Sequence, residues 1–234
     1  MTTFVLVHGA WGGAHTWRSV RPLLRTAGHA VFTPSLTGIG ERSHLAGPQV
    51  GLTTHVDDVA NQIFYEDLDD LVLLGFSYGG MVVTGALEHV GDRVRELVYL
   101  DAFVPDDGRS VADIAGIDAG GRPGIGTAWT IPPSPRTFDD PAEAAFAEPR
   151  RTPQPVRTFT ERVRLARPLE TLGIGLTYVK ATQDARESGR PDPFWEAADR
   201  ARGHPSWRYH EIDSNHMVPQ NRPAELTEIL FSLA

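Results

Sequence analysis

Phe4–Val7 (FVLV) and Leu71–Leu74 (LVLL) are unbroken apolar runs, each followed closely by glycine. A strand with one wet face alternates apolar and polar residues, so a run that does not alternate must be covered on both faces. Ala30–Thr33, Val94–Leu100, Leu176–Ala181 and Trp207–Ile212 add four further strand-length stretches. Between them lie segments of helical period. Trp17–Ala27 carries Val20, Leu23, Leu24 and Ala27 on one face, with Gly28 as its stop, and Thr53–Asp67 carries Val56, Val59, Ala60 and Ile63, with Thr53 or Thr54 as N-cap. Met81–Val90 and Pro223–Leu233 read likewise, the latter turning Leu226, Ile229, Leu230 and Leu233 inward. Strand and helix in alternation, joined by right-handed crossovers, predict a doubly wound, mostly parallel six-stranded α/β sheet with its cleft at the carboxyl ends of the strands.

The chain has 234 residues, room for one large domain or one domain with an insertion. The rhythm breaks from Pro105 to Pro168, a stretch rich in Pro, Gly, Arg and Asp, in which helical periodicity is weak until Thr160–Leu169 and no strand is evident. A long irregular stretch in a compact domain usually has a function, and its aromatics Trp129, Phe138, Phe146 and Phe159 argue for a folded cap. The expected division is a core of residues 1–104 and 170–234 with a cap, 105–169, inserted after the fourth strand.

Composition narrows the functional classes. A formal charge of −8 disfavours nucleic acid and anionic lipid as partners. With no cysteine there is no disulfide, thiolate metal site or cysteine nucleophile. MTTFVLVHGAW has no basic region before its short apolar run, so it reads as a strand and not as a signal peptide or membrane span; cytoplasmic residence follows as the expectation.

The chemistry is carried by Gly75-Phe76-Ser77-Tyr78-Gly79, a G-x-S-x-G sequence between a strand and a helix. In that context the turn is so tight that the serine hydroxyl stands exposed at the strand's end, in front of a helix N-terminus. Without such flanks the same residues would be an ordinary βα loop. A serine needs a base, and His216, in DSNHMVPQNRP between the last strand and last helix, sits where a doubly wound sheet delivers residues to its carboxyl edge. His8 also ends a strand but lies beside Gly9, and the other histidines fall in helices or loops not aimed at the cleft. An acid that orients the imidazole should follow the fifth strand, where YVKATQD supplies Asp184; Asp101, in VYLDAFVP after the fourth, is the rival, and Asp213 is too near His216 in sequence. Asp184→Asn is accordingly expected to cost more turnover than Asp101→Asn. Oxyanion donors are expected from the backbone N–H of Tyr78 and of Ala10, in the His8–Gly13 loop. That glycine-rich loop matches neither a P-loop nor G-x-G-x-x-G, so nucleotide binding is not expected; the expected chemistry calls for no cofactor or metal.

VLVHGAWGGAHTW, GFSYGG, LDAFVP, TQD and NHM, in this order, resemble the α/β-hydrolase superfamily, and within it the branch of plant methylesterases, plant hydroxynitrile lyases and bacterial carboxylesterases. The likeness spans nearly the whole chain and is weakest from Gly108 to about Arg150. It implies a six-stranded parallel sheet with a small cap, a triad of Ser77, Asp184 and His216, and an oxyanion hole of Ala10 and Tyr78. In the lyases a lysine follows the catalytic histidine and a threonine follows the first-strand histidine; here Met217 and Gly9 stand there, and methionine cannot stabilise departing cyanide. The expected activity is therefore that of a serine carboxylesterase acting on a small hydrophobic ester. Its pocket would be lined by cap aromatics such as Trp129, which could equally be ordinary packing. The alternatives are a cyclase or lyase on the same fold, or a non-catalytic ligand receptor. The expected partners are a small-molecule ester and, in a homodimer, a second copy of the chain.

Overall fold

The computed structural model describes residues 1–117, 129–186 and 192–234. Its elements run β1 (Thr3–Val7), α1 (Val20–Thr26), β2 (Ala30–Phe32), α2 (Leu52–Tyr65), β3 (Leu71–Phe76), α3 (Gly79–Val90) and β4 (Val94–Leu100). There follow α4 (Val111–Ile114), β5 (Thr130–Ile131), α5 (Pro141–Ala147), β6 (Gln154–Pro155) and α6 (Arg157–Thr160). The chain closes with β7 (Gly175–Ala181), α7 (Pro193–Gly203), β8 (Trp207–Ile212), α8 (Val218–Asn221) and α9 (Pro223–Ser232). Six strands form one sheet in the order β2-β1-β3-β4-β7-β8, every neighbouring pair parallel. This is the doubly wound sheet that the apolar runs predict.

Two cores explain why those runs do not alternate. Val5, Leu73, Leu97, Tyr99, Leu176 and Tyr178 join Val59, Ile63, Val83 and Ala198 of α2, α3 and α7 on one face. Phe4, Leu6, Val72, Leu74, Val98, Leu100 and Val179 join Leu24, Leu226 and Leu230 of α1 and α9 on the other. Successive strand residues point to opposite faces, so consecutive leucines such as Leu73 and Leu74 are both fully buried. Each contributes about 2 kcal/mol of burial. The edge strand β8 is covered less and carries Arg208 and Glu211 exposed, a composition that discourages further strand pairing.

Between β4 and β7 the chain packs over the carboxyl edge of the sheet, and residues 118–128 of the expected cap lie outside the described residues. Contrary to expectation this stretch does contain strands: β5 and β6 pair antiparallel, Thr130 with Pro155 and Ile131 with Gln154. Two residues each are too few to show any period. Residues 161–168 are not helical either. Val163 and Leu165 are buried while Arg162 and Arg164 point outward, a period of two, and Val163 exchanges backbone hydrogen bonds with Gly108 and Arg109.

Candidate active site

β3 ends at Phe76 and α3 begins at Gly79, leaving only Ser77 and Tyr78 to turn the chain. Ser77 takes φ +56°, the left-handed region that a non-glycine residue enters at a cost of about 1–3 kcal/mol. Its backbone is held on both sides: Ser77 N–H donates to Leu100 O at 3.1 Å, and Ser77 O accepts from Gly80 N–H at 3.1 Å and Phe103 N–H at 3.2 Å. At Gly79 a Cβ would stand 2.7 Å from Val7 O, so only glycine lets the helix start so close to β1.

The loop after β8 brings His216 to this serine. His216 Nε2 lies 2.9 Å from Ser77 Oγ, and the ring is clamped between Phe76 and Phe194, at centroid distances of 4.9 and 5.0 Å. The carboxylate on the far side of the ring is Asp101, with Oδ2 2.6 Å from Nδ1. This corrects the placement of Asp184 at the ring. Asp184 is exposed, and its Oδ2 accepts from the backbone N–H of His216 at 2.8 Å, so it holds the loop and not the imidazole. The physical reason lies in β4: Asp101, immediately after the strand, takes φ +39°, which turns its side chain under His216.

Asp101 is 1% exposed, and its other oxygen is 2.6 Å from Lys180 Nζ, a lysine equally buried on β7. Burial alone would raise the Asp101 carboxyl; the His216 hydrogen bond and the charges of His216 and Lys180 outweigh it and hold the group below its ordinary value. Lys180 also donates to Ala181 O at 2.6 Å and lies 4.5 Å from the Trp195 ring centroid.

On the opposite side of Ser77, the loop after β1 comes close. A Cβ on Gly9 would stand 2.9 Å from Ser77 Cβ, so the approach requires glycine. Neither Ala10 N–H nor Tyr78 N–H donates to a protein acceptor among the described residues. The loop is pinned from below by His8, whose Nε2 accepts from Leu36 N–H at 3.1 Å, leaving Nδ1–H to donate to Gly9 O at 2.9 Å. Burial pulls His8 down to about 4, so it is neutral. His55, likewise lowered to about 4 by burial, donates to Thr37 O and accepts from the Tyr78 hydroxyl, which turns that side chain away from the cleft. Trp11, at φ +60°, is tied to the cap through Gln154 Oε1 and Ile131 O, both at 3.0 Å.

The cleft over Ser77 and His216 is lined by Trp11, Phe76, Phe138, Ala147 and Met217, together with Arg136, Arg151 and Gln220. Its free volume is about 30 Å³, far below the roughly 300–1,000 Å³ of a typical ligand pocket, so substrate entry requires cap side chains to move. Trp129 does not line it: that residue is 45% exposed, and Phe159 is spent on packing against Trp11 and Tyr78. Phe138 does reach it. A wider groove of about 970 Å³, bordered by Leu52, Val56, Gly85 and Val163, contains none of the residues around Ser77. Sequence reasoning gave no role to Trp11 and Lys180, although both lie inside its quoted motifs, and missed Arg136, Arg151 and Phe194, which lie outside any recognisable spacing. Among the described residues no group of three His, Asp or Glu side chains is placed to hold a metal, and no helix is long and apolar enough to cross a membrane.

Comparison with known proteins agrees with this fold. Residues 4–229 match the model of the "Alpha/beta hydrolase family". A carbendazim hydrolyzing esterase of Nocardioides sp. (strain SG-4G) is 36% identical over the full length of both chains. Methylesterase 8 of Arabidopsis thaliana is 32% identical over 113 residues, 44% of this chain and 38% of that protein. Among solved structures, an extracellular alpha/beta-hydrolase from a Paenibacillus species superposes with a TM-score of 0.79 at 27% identity, covering 99% of this chain and 98% of the other.

Proposed function

Because the chain belongs to the alpha/beta hydrolase family, we propose that it is a serine esterase that cleaves a small carboxylic ester through an acyl-enzyme on Ser77. The observation that carries this reading is the continuous chain Ser77 Oγ, His216 Nε2, His216 Nδ1, Asp101 Oδ2, with contacts of 2.9 and 2.6 Å. Ser77 Oγ attacks the ester carbonyl carbon while its proton passes to His216 Nε2. Asp101 keeps the Nδ1 proton in place, so that Nε2 is free to accept, and stabilises the imidazolium. The carbonyl oxygen becomes an oxyanion within reach of Ala10 and Tyr78 N–H. Collapse expels the alcohol, which takes the proton from His216. A water deprotonated by His216 then attacks the acyl carbon, and the acid leaves as Ser77 recovers its proton.

The full-length relative, a carbendazim hydrolyzing esterase, supports the same reaction class. The aromatic and aliphatic walls supplied by Phe76, Phe138 and Met217 suit an apolar portion of the substrate. Labelling with a fluorophosphonate tests the reading: one label should appear on Ser77, and Ser77→Ala should take none. Absence of label between pH 6 and 9 would leave the ligand-receptor alternative, whereas labelling without ester turnover would favour a cyclase or lyase.

A further inference from the structure

The protein as a whole is acidic, with 22 basic against 30 acidic residues, yet the cleft above Ser77 is lined by two guanidinium groups, Arg136 and Arg151. Both come from the stretch between β4 and β7, Arg136 after β5 and Arg151 before β6. The Arg151 side chain is only 8% exposed. Among the described residues its one ion pair is with the half-exposed Glu148, at 3.6 Å. Arg136 is half-buried and makes no ion pair among the described residues. Burial and the charge of Arg151 push Arg136 below its ordinary value, while Asp184 and Asp101 pull it back from a distance. Two guanidiniums therefore share a narrow cleft whose remaining walls are partly apolar, from Trp11, Phe76, Phe138 and Met217, and partly polar, from His15 and Thr16. Gln220 Oε1, also in that lining, is buried without a partner, and turning the amide would offer an N–H₂ in its place.

Arginine stays charged in such surroundings and presents its donors as a planar fork that matches a carboxylate. We infer that Arg136 and Arg151 form an anion subsite and that the natural substrate is an ester bearing a second, ionised carboxylate. This rests on the esterase reading and names its substrate class. A carboxylate between the two guanidiniums relieves their mutual repulsion, replaces their lost hydration and leaves the ester carbonyl to Ser77. Attraction into a positive cleft set in a negative surface also sorts substrates, since an anion gains there what it loses elsewhere on the protein.

The test compares matched esters that differ in one charge. Monomethyl glutarate is set against methyl pentanoate for a carboxylate on the acyl side, and 4-acetoxybutanoate against butyl acetate for one on the alcohol side. In the wild-type protein kcat/KM for the charged member should exceed its neutral partner by roughly 10–100-fold in at least one pair, the span of a charge-assisted hydrogen bond. The ratio should collapse toward one in Arg136→Gln and Arg151→Gln and recover in part in Arg136→Lys and Arg151→Lys, since lysine keeps the charge and loses the fork. Because the readout is a ratio, a loss common to both esters does not count. Glutarate should also slow fluorophosphonate labelling of Ser77 in the wild type more than pentan-1-ol does, and this protection needs no turnover. Ratios at or below one in both pairs, ratios unchanged by both glutamine variants, or no protection by glutarate would overturn the subsite. Ser77-dependent cleavage of the neutral esters without a charge preference would sink the subsite alone. Failure to cleave any of the four esters, with Ser77 unlabelled, would sink the esterase reading itself.

Discussion

Asp101→Asn should be far more damaging than a nearly isosteric change suggests, and the cause is Lys180. The two carboxylate oxygens of Asp101 face different partners, Oδ2 the Nδ1 of His216 and Oδ1 the Nζ of Lys180, each at 2.6 Å. An ammonium has donors only. The asparagine oxygen is therefore drawn to Lys180, helped by Ala181 N–H at 3.4 Å, and the NH₂ is turned to the imidazole. Nδ1 must then accept, the ring proton moves to Nε2, and the atom facing Ser77 can no longer take its proton. In a serine-protease triad the corresponding change lowers kcat about 10⁴-fold by imposing the wrong tautomer, and a loss of 10³–10⁴, about 4–5.5 kcal/mol of barrier, is expected here. Removing the cause should reverse part of the effect. In Asp101→Asn/Lys180→Met the amide is free to present its oxygen to Nδ1, so kcat should rise about tenfold or more above the single variant. The assay is steady-state hydrolysis of p-nitrophenyl butyrate, with circular dichroism to verify folding. Asp184→Asn keeps an amide oxygen for the His216 N–H and should lose less than about tenfold. A larger loss in Asp184→Asn than in Asp101→Asn, or a double variant no better than the single one, would refute the reasoning.

His8 and His55 are both held near 4 by burial and charge readily once unfolded, near 6.5. Between those values the unfolded chain binds more protons, so unfolding free energy should fall as pH drops from 6.5 to 4. The fall is about 3 kcal/mol per histidine, read from urea midpoints, with a shallower slope in His55→Gln. Asp101 adds a separate acid limit: with its pKa depressed, its stabilisation is complete above the ordinary carboxylate value and lost as pH falls through the lower folded one. Gly9→Ala must push the loop away from Ser77 Cβ and misplace the Ala10 N–H, so kcat should drop about 10²–10³-fold with little change in KM. Trp129→Ala, at an exposed site off the cleft, should change kcat/KM less than about twofold, whereas Phe138→Ala, in the cleft wall, should raise KM for hydrophobic esters.

Most of the sheet was legible because burial on two faces leaves a mark in the sequence. Strand runs such as Val94–Leu100 and Trp207–Ile212 have the limits read from it. Ser77 and His216 were legible for a related reason: topology brings strand ends to one rim, and each follows a strand. The acid was not, since Asp101 and Asp184 both follow strands, and the choice is made by the backbone twist at Asp101, which no spacing encodes. α7 escaped notice because its buried face is three alanines, Ala197, Ala198 and Ala201, too small to register as a hydrophobic stripe. Its signals were the Asp192 cap and Pro193 in the first turn. The cap was the least legible, since residues 129–169 are held largely by side-chain contacts to distant segments, such as Trp11 to Gln154 and Asn215 to Thr137.

The most direct test of the central claim is to trap the acyl group itself. Acid quenching during turnover of p-nitrophenyl butyrate, followed by peptide mass spectrometry, should find the butyryl mass on the peptide containing Ser77 and at no other position. A burst of nitrophenolate should match the enzyme concentration. Butyryl on another side chain, or full turnover with Ser77→Ala, would contradict it.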